Sequence, residues 1–144
     1  MIIYLDATAL VSFYKKNEKY SKEIDTIFER TLGKEVLISS EWSQLEFIRG
    51  LMKTKVNIRT IREDLDDLSL SVAFIPIKSA WISRAKELAL GLNLYAADSH
   101  HLAAAILEKS DVMITCDERH LLKPKVRKEF KVVSPKDFLR EYGH

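Results

Sequence analysis

Short apolar runs alternate with longer amphipathic segments along this chain, and no other feature of the sequence constrains the fold as strongly. Five runs have the length and the residue types of β-strands: 2–5, 36–38, 72–77, 112–114 and 130–133. Three of them are apolar almost throughout, as expected of strands that helices cover on both faces. Strands that alternate with helices favour right-handed crossover connections and an open parallel sheet.

The segments between these runs carry apolar residues three or four positions apart, which predicts amphipathic helices. The stripes are Ile24, Ile27, Phe28 and Leu32; Trp42, Leu45, Ile48 and Met52; Ile58, Ile61, Leu65 and Leu68; Trp81, Ala85, Leu88 and Leu92; and Leu102, Ala105, Ile106 and Lys109. In open parallel sheets, ligands usually bind outside the carboxyl ends of the strands, near a switch in strand order. Functional side chains are therefore expected where the strands end.

The composition is that of an ordinary globular protein, with 47% hydrophobic and 31% charged residues. Its length of 144 residues and the absence of repeats or linkers predict a single domain over 1–144. The single cysteine, Cys116, excludes an internal disulfide framework and a Cys-rich zinc site. A net charge of +2 is too small to indicate nucleic-acid binding from bulk electrostatics.

The first residues, MIIYLD, lack a basic segment followed by an apolar stretch and do not resemble a secretory signal. No apolar run approaches the roughly 18 residues needed to span a bilayer. We therefore expect a cytoplasmic protein that does not associate with a membrane.

Acidic residues follow two of the predicted strands and begin one of the predicted helices. Asp6 comes directly after the first strand and Asp117 follows the fourth strand after Thr115 and Cys116, and each could simply cap a helix or close a turn. Asp98 shares a helix face with Leu102 and Ala105, so it should point toward the sheet. A carboxylate in that position needs a partner, because an isolated buried charge is costly.

A fourth acid, Glu46, lies at the edge of an apolar helix stripe. Arg49 and Lys53 lie near it on the same face, and a solvated ion pair is the simplest interpretation of Glu46 alone. Four converging carboxylates would repel one another unless a cation neutralised them, and hard oxygen ligands suit Mg²⁺ or Mn²⁺. Such an ion activates water and positions a phosphodiester. The residues therefore favour a metal-dependent phosphodiester hydrolase.

Four segments carry a more specific pattern: Leu-Asp-Ala-Thr-Ala-Leu-Val at 5–11, Ser-Glu-Trp-Ser-Gln-Leu-Glu at 40–46, Ala-Asp-Ser-His-His-Leu-Ala-Ala-Ala at 97–105 and Thr-Cys-Asp at 115–117. In this order and at these intervals they resemble the PIN-domain ribonucleases, particularly the small VapC-type toxins. The resemblance extends over essentially the whole chain.

This resemblance implies a three-layer α/β/α PIN-like fold with a central, mainly parallel sheet of four or five strands. It also implies a Mg²⁺- or Mn²⁺-dependent endoribonuclease. Asp6, Asp98 and Asp117 would form the main metal-binding group, directly or through water. Glu46 would help hold a metal or orient the attacking water. The hydroxyls of Thr8 and Thr115 would hydrogen-bond a carboxylate or a bound water.

By the same resemblance, the protein would act on RNA as the toxin of a VapBC-type pair. It would form a homodimer and bind a cognate antitoxin that blocks its site. PIN domains also serve RNA processing and surveillance, so that role stays open.

Two other functions compete with this interpretation. A phosphatase with an aspartyl nucleophile would carry an Asp-x-Asp-x-Thr/Val motif after the first strand, but Thr8 occupies the second acidic position. A non-catalytic RNA- or protein-binding module, whose acids merely cap helices, stays open. Metal binding distinguishes it from a nuclease.

The remaining motifs are less specific. The segment 123–131 holds five basic residues and one acid, and a second basic group consists of Arg49, Lys53, Lys55, Arg59 and Arg62. Either could guide RNA, or simply form charged surface. His100, His101 and His120 are interpreted as packing or rim residues, Cys116 as a buried thiol, and Trp42 and Trp81 as core residues.

Overall fold

The computed structural model describes residues 1–16, 18–54 and 56–143, in which five strands form one sheet. The strands are β1 (Ile2–Leu5), β2 (Val36–Ser40), β3 (Ala73–Ile75), β4 (Val112–Ile114) and β5 (Val132–Val133). Their order across the sheet is β3-β2-β1-β4-β5, and every neighbouring pair is parallel. The predicted parallel sheet is confirmed. β3 stops before Pro76, which has no N–H to donate to a neighbouring strand.

Helices connect the strands. They are α1 (Ala7–Tyr14), α2 (Ser21–Thr31), α3 (Trp42–Met52), α4 (Ile58–Ser71), α5 (Ser79–Leu92), α6 (Ala96–Leu107), α7 (Pro124–Arg127) and α8 (Pro135–Tyr142). Three of them begin at side-chain caps, in which Asp6, Asn57 and Ser134 accept bonds from backbone N–H groups one turn ahead.

The helices form a layer on each face of the sheet. Ile3 and Leu5 of β1 pack into a core supplied by α1 to α4 and α8. Tyr4 points the opposite way, into a second core supplied by α5, α6 and α7. This alternation along one strand gives the three-layer α/β/α arrangement expected of the sequence.

The chain changes direction at the centre of the sheet. β1, β2 and β3 follow one another toward one edge, and the chain then returns to place β4 on the other side of β1. β1 and β4 therefore flank the switch in strand order, and the crevice outside their carboxyl ends is where such sheets bind ligands.

The orientation predicted for α3 is wrong. Its apolar stripe was expected to face the core, but Trp42, Leu45 and Met52 are exposed by 43%, 57% and 48%. The buried residues are Ser43, Phe47 and Leu51. Ser43, rather than Trp42, faces the core, and its burial is tolerated because its hydroxyl forms a hydrogen bond with the hydroxyl of Ser39 on β2 at 2.7 Å.

A close approach between α1 and α3 fixes the same orientation. A Cβ atom on Gly50 would lie only 2.7 Å from Cγ2 of Val11. The glycine face of α3 is thus the face that can pack against α1, and Trp42, Leu45 and Met52 lie on the outside.

Within the described ranges, no helix is both long enough and apolar enough to cross a lipid bilayer.

Candidate active site

Asp6 is the most buried of the predicted acids, with 3% of its surface exposed. Its Oδ1 accepts bonds from the Thr8 hydroxyl at 2.6 Å and from the Ala9 N–H at 3.1 Å. Its Oδ2 accepts a 2.5 Å bond from the hydroxyl of Thr115. Burial raises the pKa of Asp6, while the charge of His101 and these three bonds act in the opposite direction. Asp6 is therefore both the cap of α1 and a rigidly oriented carboxylate.

The two threonines join the ends of β1 and β4. The Thr8 hydroxyl lies 3.4 Å from that of Thr115 and accepts a bond from the Cys116 N–H at 2.9 Å. The Thr115 hydroxyl in turn accepts a 3.0 Å bond from the N–H of Asp117. These contacts fix the backbone after β4 relative to the start of α1.

Asp98, Asp117 and His120 form the tightest cluster. Each offers one possible metal-ligand atom, and these three atoms all lie within 4.8 Å of one another. Among the residues described, no other group of three or more His, Cys, Asp or Glu side chains comes this close together. Nδ1 of His120 lies 3.0 Å from Oδ2 of Asp117 and 3.9 Å from Oδ2 of Asp98. Asp98 comes from the first turn of α6, and the other two residues come from the loop after β4.

The electrostatics of this cluster are those of crowded carboxylates. Burial raises the pKa of Asp98 to about 6, and the negative charge of Asp117 and then that of Asp6 add to the effect, whereas His120 and His101 oppose it. A cation held between Asp98 and Asp117 would relieve this repulsion. Two carboxylates with an imidazole are a donor set that divalent cations accept, Mn²⁺ more readily than Mg²⁺ at the nitrogen. The residues present therefore fit a divalent metal ion.

Glu46 approaches from a different direction and does not belong to the tight cluster. It comes from α3, and its Oε1 lies 2.5 Å from Nε2 of His101 on α6. Nδ1 of the same ring lies 2.7 Å from the Tyr4 hydroxyl. The structure thus brings Asp98 and Asp117 together, places Asp6 close enough to act on Asp98, and holds Glu46 through a buried histidine.

A groove between α1 and α3 leads to these residues. It has a volume of about 370 Å³ and is lined by Ala7, Thr8, Val11, Ser12, Lys15, Glu18, Glu46, Gly50, Lys53 and Cys116. Two of these residues belong to the candidate site: Thr8, whose hydroxyl donates to Asp6, and Glu46. The groove offers an extended ligand a path to the candidate site.

Two histidines belong to the site although the sequence analysis did not place them there. His120 was expected to be a packing or rim residue. The Asp117 carboxylate instead accepts bonds from the backbone N–H groups of Arg119 and His120, and the resulting turn places the His120 imidazole beside Asp117. The spacing Asp-x-x-His after a strand is the signal that could have revealed it. His101 shows no such signal, because its partners come from β1 and α3.

The neighbouring His100 has a structural environment. Its Nε2 lies 2.7 Å from the Ser40 hydroxyl, and its ring packs edge-on against Trp81. Burial, followed by the charge of His101, lowers its pKa to about 4. This is the packing role that the sequence predicted.

The basic segment 123–131 is partly neutralised, and its last residue lies on the side of the sheet opposite the acids. Arg127 pairs with Asp137, and Lys131 pairs with Glu141. Lys131 precedes β5, so it lies at the amino ends of the parallel strands, opposite the edge that carries Asp6 and Asp117.

The second basic group is divided. Arg59 pairs with Glu63 on α4, whereas Lys53 lines the groove. Lys55 lies outside the described residues.

The comparisons with known proteins agree with this architecture. The PIN domain family model matches residues 3–126, a range that includes all four predicted acids. No protein with a curated description matches the sequence. The structure resembles VapBC2 from Rickettsia felis bound to a promoter DNA fragment, with a TM-score of 0.74 and 17% identity over 93% of this chain and 98% of that one.

Two further solved structures are similar. VapBC-1 from nontypeable Haemophilus influenzae has a TM-score of 0.72 and 16% identity over 94% of this chain and 99% of that one. VapC20 from Mycobacterium tuberculosis, a toxin that cleaves the sarcin-ricin loop, has a TM-score of 0.68 and 12% identity over 81% and 91%. At these identities the likeness establishes the fold. Because the family model covers most of the sequence, the chain belongs to the PIN domain family.

Proposed function

We propose that this protein is a metal-dependent endoribonuclease. The observation that carries the proposal is the convergence of Asp98, Asp117 and His120 within 4.8 Å, beside Asp6, outside the carboxyl ends of β1 and β4. Acids crowded at a switch in strand order, in a member of the PIN domain family, support the hydrolysis of phosphodiester bonds.

Asp98 and Asp117 would hold the metal ion, Mg²⁺ or Mn²⁺, with His120 and Asp6 contributing directly or through water. When bound, the ion supplies a Lewis acid and a water of lowered pKa. Asp6 adds a negative charge, and hydrogen bonds from Thr8 and Thr115 fix the orientation of its carboxylate. Glu46, which lines the groove, would orient the attacking water or help hold the ion.

This chemistry needs no nucleophilic side chain. The thiol of Cys116, the single cysteine, is a poor nucleophile because burial raises its pKa to about 12. The groove is open along one side of α1, which suits an unpaired RNA strand whose phosphates can reach the acids.

We also propose that the protein is the toxin of a toxin–antitoxin pair, which acts in the cytoplasm as a homodimer and is blocked by a cognate antitoxin. Two of the similar structures described above are VapBC assemblies. The exposed Trp42 and Leu45 on α3, next to Glu46, offer apolar surface that a protein partner could cover.

The nuclease activity is tested by incubating a pool of structured RNAs with Mg²⁺, Mn²⁺ or EDTA. Wild-type protein should cleave only with a divalent ion, and Asp6→Asn and Asp98→Asn should each reduce cleavage by about 100-fold or more, as expected for the loss of a metal-site carboxylate. Circular dichroism establishes that both variants are folded. Full activity in both folded variants would contradict the mechanism.

The toxin role is tested separately by controlled expression in a bacterial host. Wild type should arrest growth and Asp98→Asn should not. Cleavage in vitro without growth arrest would favour an RNA-processing nuclease over a toxin.

A further inference from the structure

A chain of hydrogen-bonding groups runs from the protein interior to Glu46. Tyr4 and His101 are buried, with exposures of 0% and 3%, whereas the side chain of Glu46 is 29% exposed at the groove. The atoms in contact are the Tyr4 hydroxyl with His101 Nδ1 at 2.7 Å, and His101 Nε2 with Glu46 Oε1 at 2.5 Å. The three residues belong to three different elements, β1, α6 and α3.

The chemistry of these groups fixes the direction of the two hydrogen bonds. A carboxylate can only accept, so Nε2 of His101 must carry a proton and donate to Glu46. In the neutral ring, Nδ1 then accepts, and its donor is the Tyr4 hydroxyl. Burial raises the pKa of Tyr4, so this hydroxyl keeps its proton. Tyr4 thereby selects the tautomer of His101 that donates to Glu46.

Glu46 depends on this contact for its orientation. It lies on a helix whose outer face is exposed, and in the part of the chain that the structure describes His101 is its hydrogen-bonding partner. A glutamate side chain has three rotatable bonds and samples several rotamers unless a partner selects one. The ring is also near Asp6 and Asp98, since a positive charge on it would lower the pKa of both carboxyls. His101 therefore lies between Glu46 and the aspartate cluster.

We propose that His101 is a positioning residue of the active site: it holds the Glu46 carboxylate in the orientation that the reaction requires, and Tyr4 supports it from behind. This inference rests on the proposed nuclease function. It gives a buried histidine a role in positioning an acid, whereas the adjacent His100 packs against Ser40 and Trp81.

Two substitutions of His101 distinguish the roles of its two ring nitrogen atoms. His101→Asn keeps an amide near the position of Nδ1 but cannot reach Glu46, whereas His101→Gln places an amide donor near the position of Nε2. We expect kcat for RNA cleavage to fall by about 10- to 100-fold in His101→Asn, with KM changed less than about twofold, and to be largely restored in His101→Gln. His100→Asn, which also alters a buried histidine, is the matched control and should keep kcat when folded.

A double-mutant cycle tests whether His101 acts through Glu46. In a Glu46→Ala background, His101→Asn should cause no further loss of kcat. Equal losses in the Asn and Gln variants, or fully additive losses in the double mutant, would overturn the proposal.

A spectroscopic measurement tests the contact without reference to activity. Nitrogen-15 NMR of the metal-free protein should show His101 as the Nε2–H tautomer, with a slowly exchanging ring proton. Glu46→Ala should shift the Nε2 signal and accelerate exchange, whereas Glu41→Ala, at an exposed residue on the preceding turn, should do neither. A proton on Nδ1 would refute the positioning role. If wild type cleaves no RNA but the NMR result is as expected, the proposed function fails while the contact stands.

Discussion

At the scale of single residues, crowding of negative charge defines the candidate site, and it should make stability depend on pH. The pKa of Asp98, about 6 in the folded protein, is well above the ordinary value near 3.8. A carboxyl that holds its proton more tightly when folded contributes stability below its unfolded pKa and loses it as pH rises. Without metal, the contribution of Asp98 to the free energy of unfolding should therefore fall between about pH 4 and pH 6, whereas that of His100, whose pKa burial lowers to about 4, should rise over much of the same range.

Urea unfolding in EDTA at pH 4.5 and 7.5 measures this dependence. Asp98→Asn should remove the Asp98 part, so the stability of the variant relative to wild type should increase from pH 4.5 to pH 7.5. The control Asp66→Asn, at an exposed acid on α4, should follow wild type. Added Mn²⁺ should stabilise wild type more at pH 7.5 than at pH 4.5, since a cation and a proton compete for the same carboxylates. If the stability of Asp98→Asn relative to wild type does not increase over this range in EDTA, the electrostatic description is contradicted.

The acids could be identified from the sequence, but their neighbours could not. Asp6 and Asp117 follow apolar runs that are identifiable as strands, and the carboxyl ends of parallel strands meet at one edge of a sheet. His101 acquires its partners only when β1, α3 and α6 are packed together. No spacing along the chain encodes such a tertiary contact.

At the scale of elements, the packing of α1 against α3 positions both sides of the groove. Gly50→Ala should destabilise the protein, although alanine favours helices over glycine by about 1 kcal/mol. The new Cβ would lie 2.7 Å from Val11 Cγ2, and a β-branched side chain in a helix has little freedom to move away. Overpacking of this kind typically costs about 1–3 kcal/mol. The two helices would separate, so cleavage should fall as well.

Chemical denaturation of Gly50→Ala and of the double variant Gly50→Ala/Val11→Ala measures this effect. The second substitution creates space for the new methyl group and should recover part of the loss beyond what the single changes predict additively. Gly91→Ala, on α5 with nothing within 4 Å of its would-be Cβ, is the matched control and should not destabilise. If Gly50→Ala behaves like Gly91→Ala, the close approach does not determine the orientation of α3.

Helix orientation was the element-scale property that the sequence predicted least well. The stripe containing Trp42 and Leu45 has the periodicity of a core face, and hydrophobicity alone favours its burial. The core instead takes Ser43 and Phe47, because the serine hydroxyl is satisfied by Ser39 and the glycine permits close packing. Steric fit and a satisfied hydrogen bond outweighed apolar periodicity.

At the scale of the whole molecule, we propose that residues 1–144 form a single PIN-like unit. The family model ends at residue 126, yet the described residues beyond it continue the same fold. Val132 and Val133 pair with β4, and Phe138 of α8 packs into the core that contains Phe28. Without this segment β4 would lose its outer neighbour, and one side of the first core would be exposed.

The charge of the whole molecule is nearly balanced, so affinity for RNA has to come from where the cations lie. Lys53 lines the groove and forms no ion pair within the described residues, whereas Lys15 is paired with Glu18 at 2.9 Å. We therefore expect Lys53→Ala to weaken RNA binding several-fold and to reduce the slope of log K against log salt by about 0.7, the value for one phosphate contact on a single strand. Its effect should lie in KM, because a contact to a phosphate that does not react holds substrate and transition state alike.

Fluorescence anisotropy with a labelled single-stranded RNA at several salt concentrations provides the measurement, with Asp98→Asn as the background so that no cleavage occurs. Lys86→Ala, an exposed lysine on α5 in the other helical layer, is the control and should leave the salt slope unchanged. If Lys53→Ala and Lys86→Ala weaken binding equally, RNA affinity depends on the overall surface charge, and the RNA does not bind along the groove. If only Lys53→Ala lowers the slope, the strand lies along the groove that Thr8 and Glu46 line.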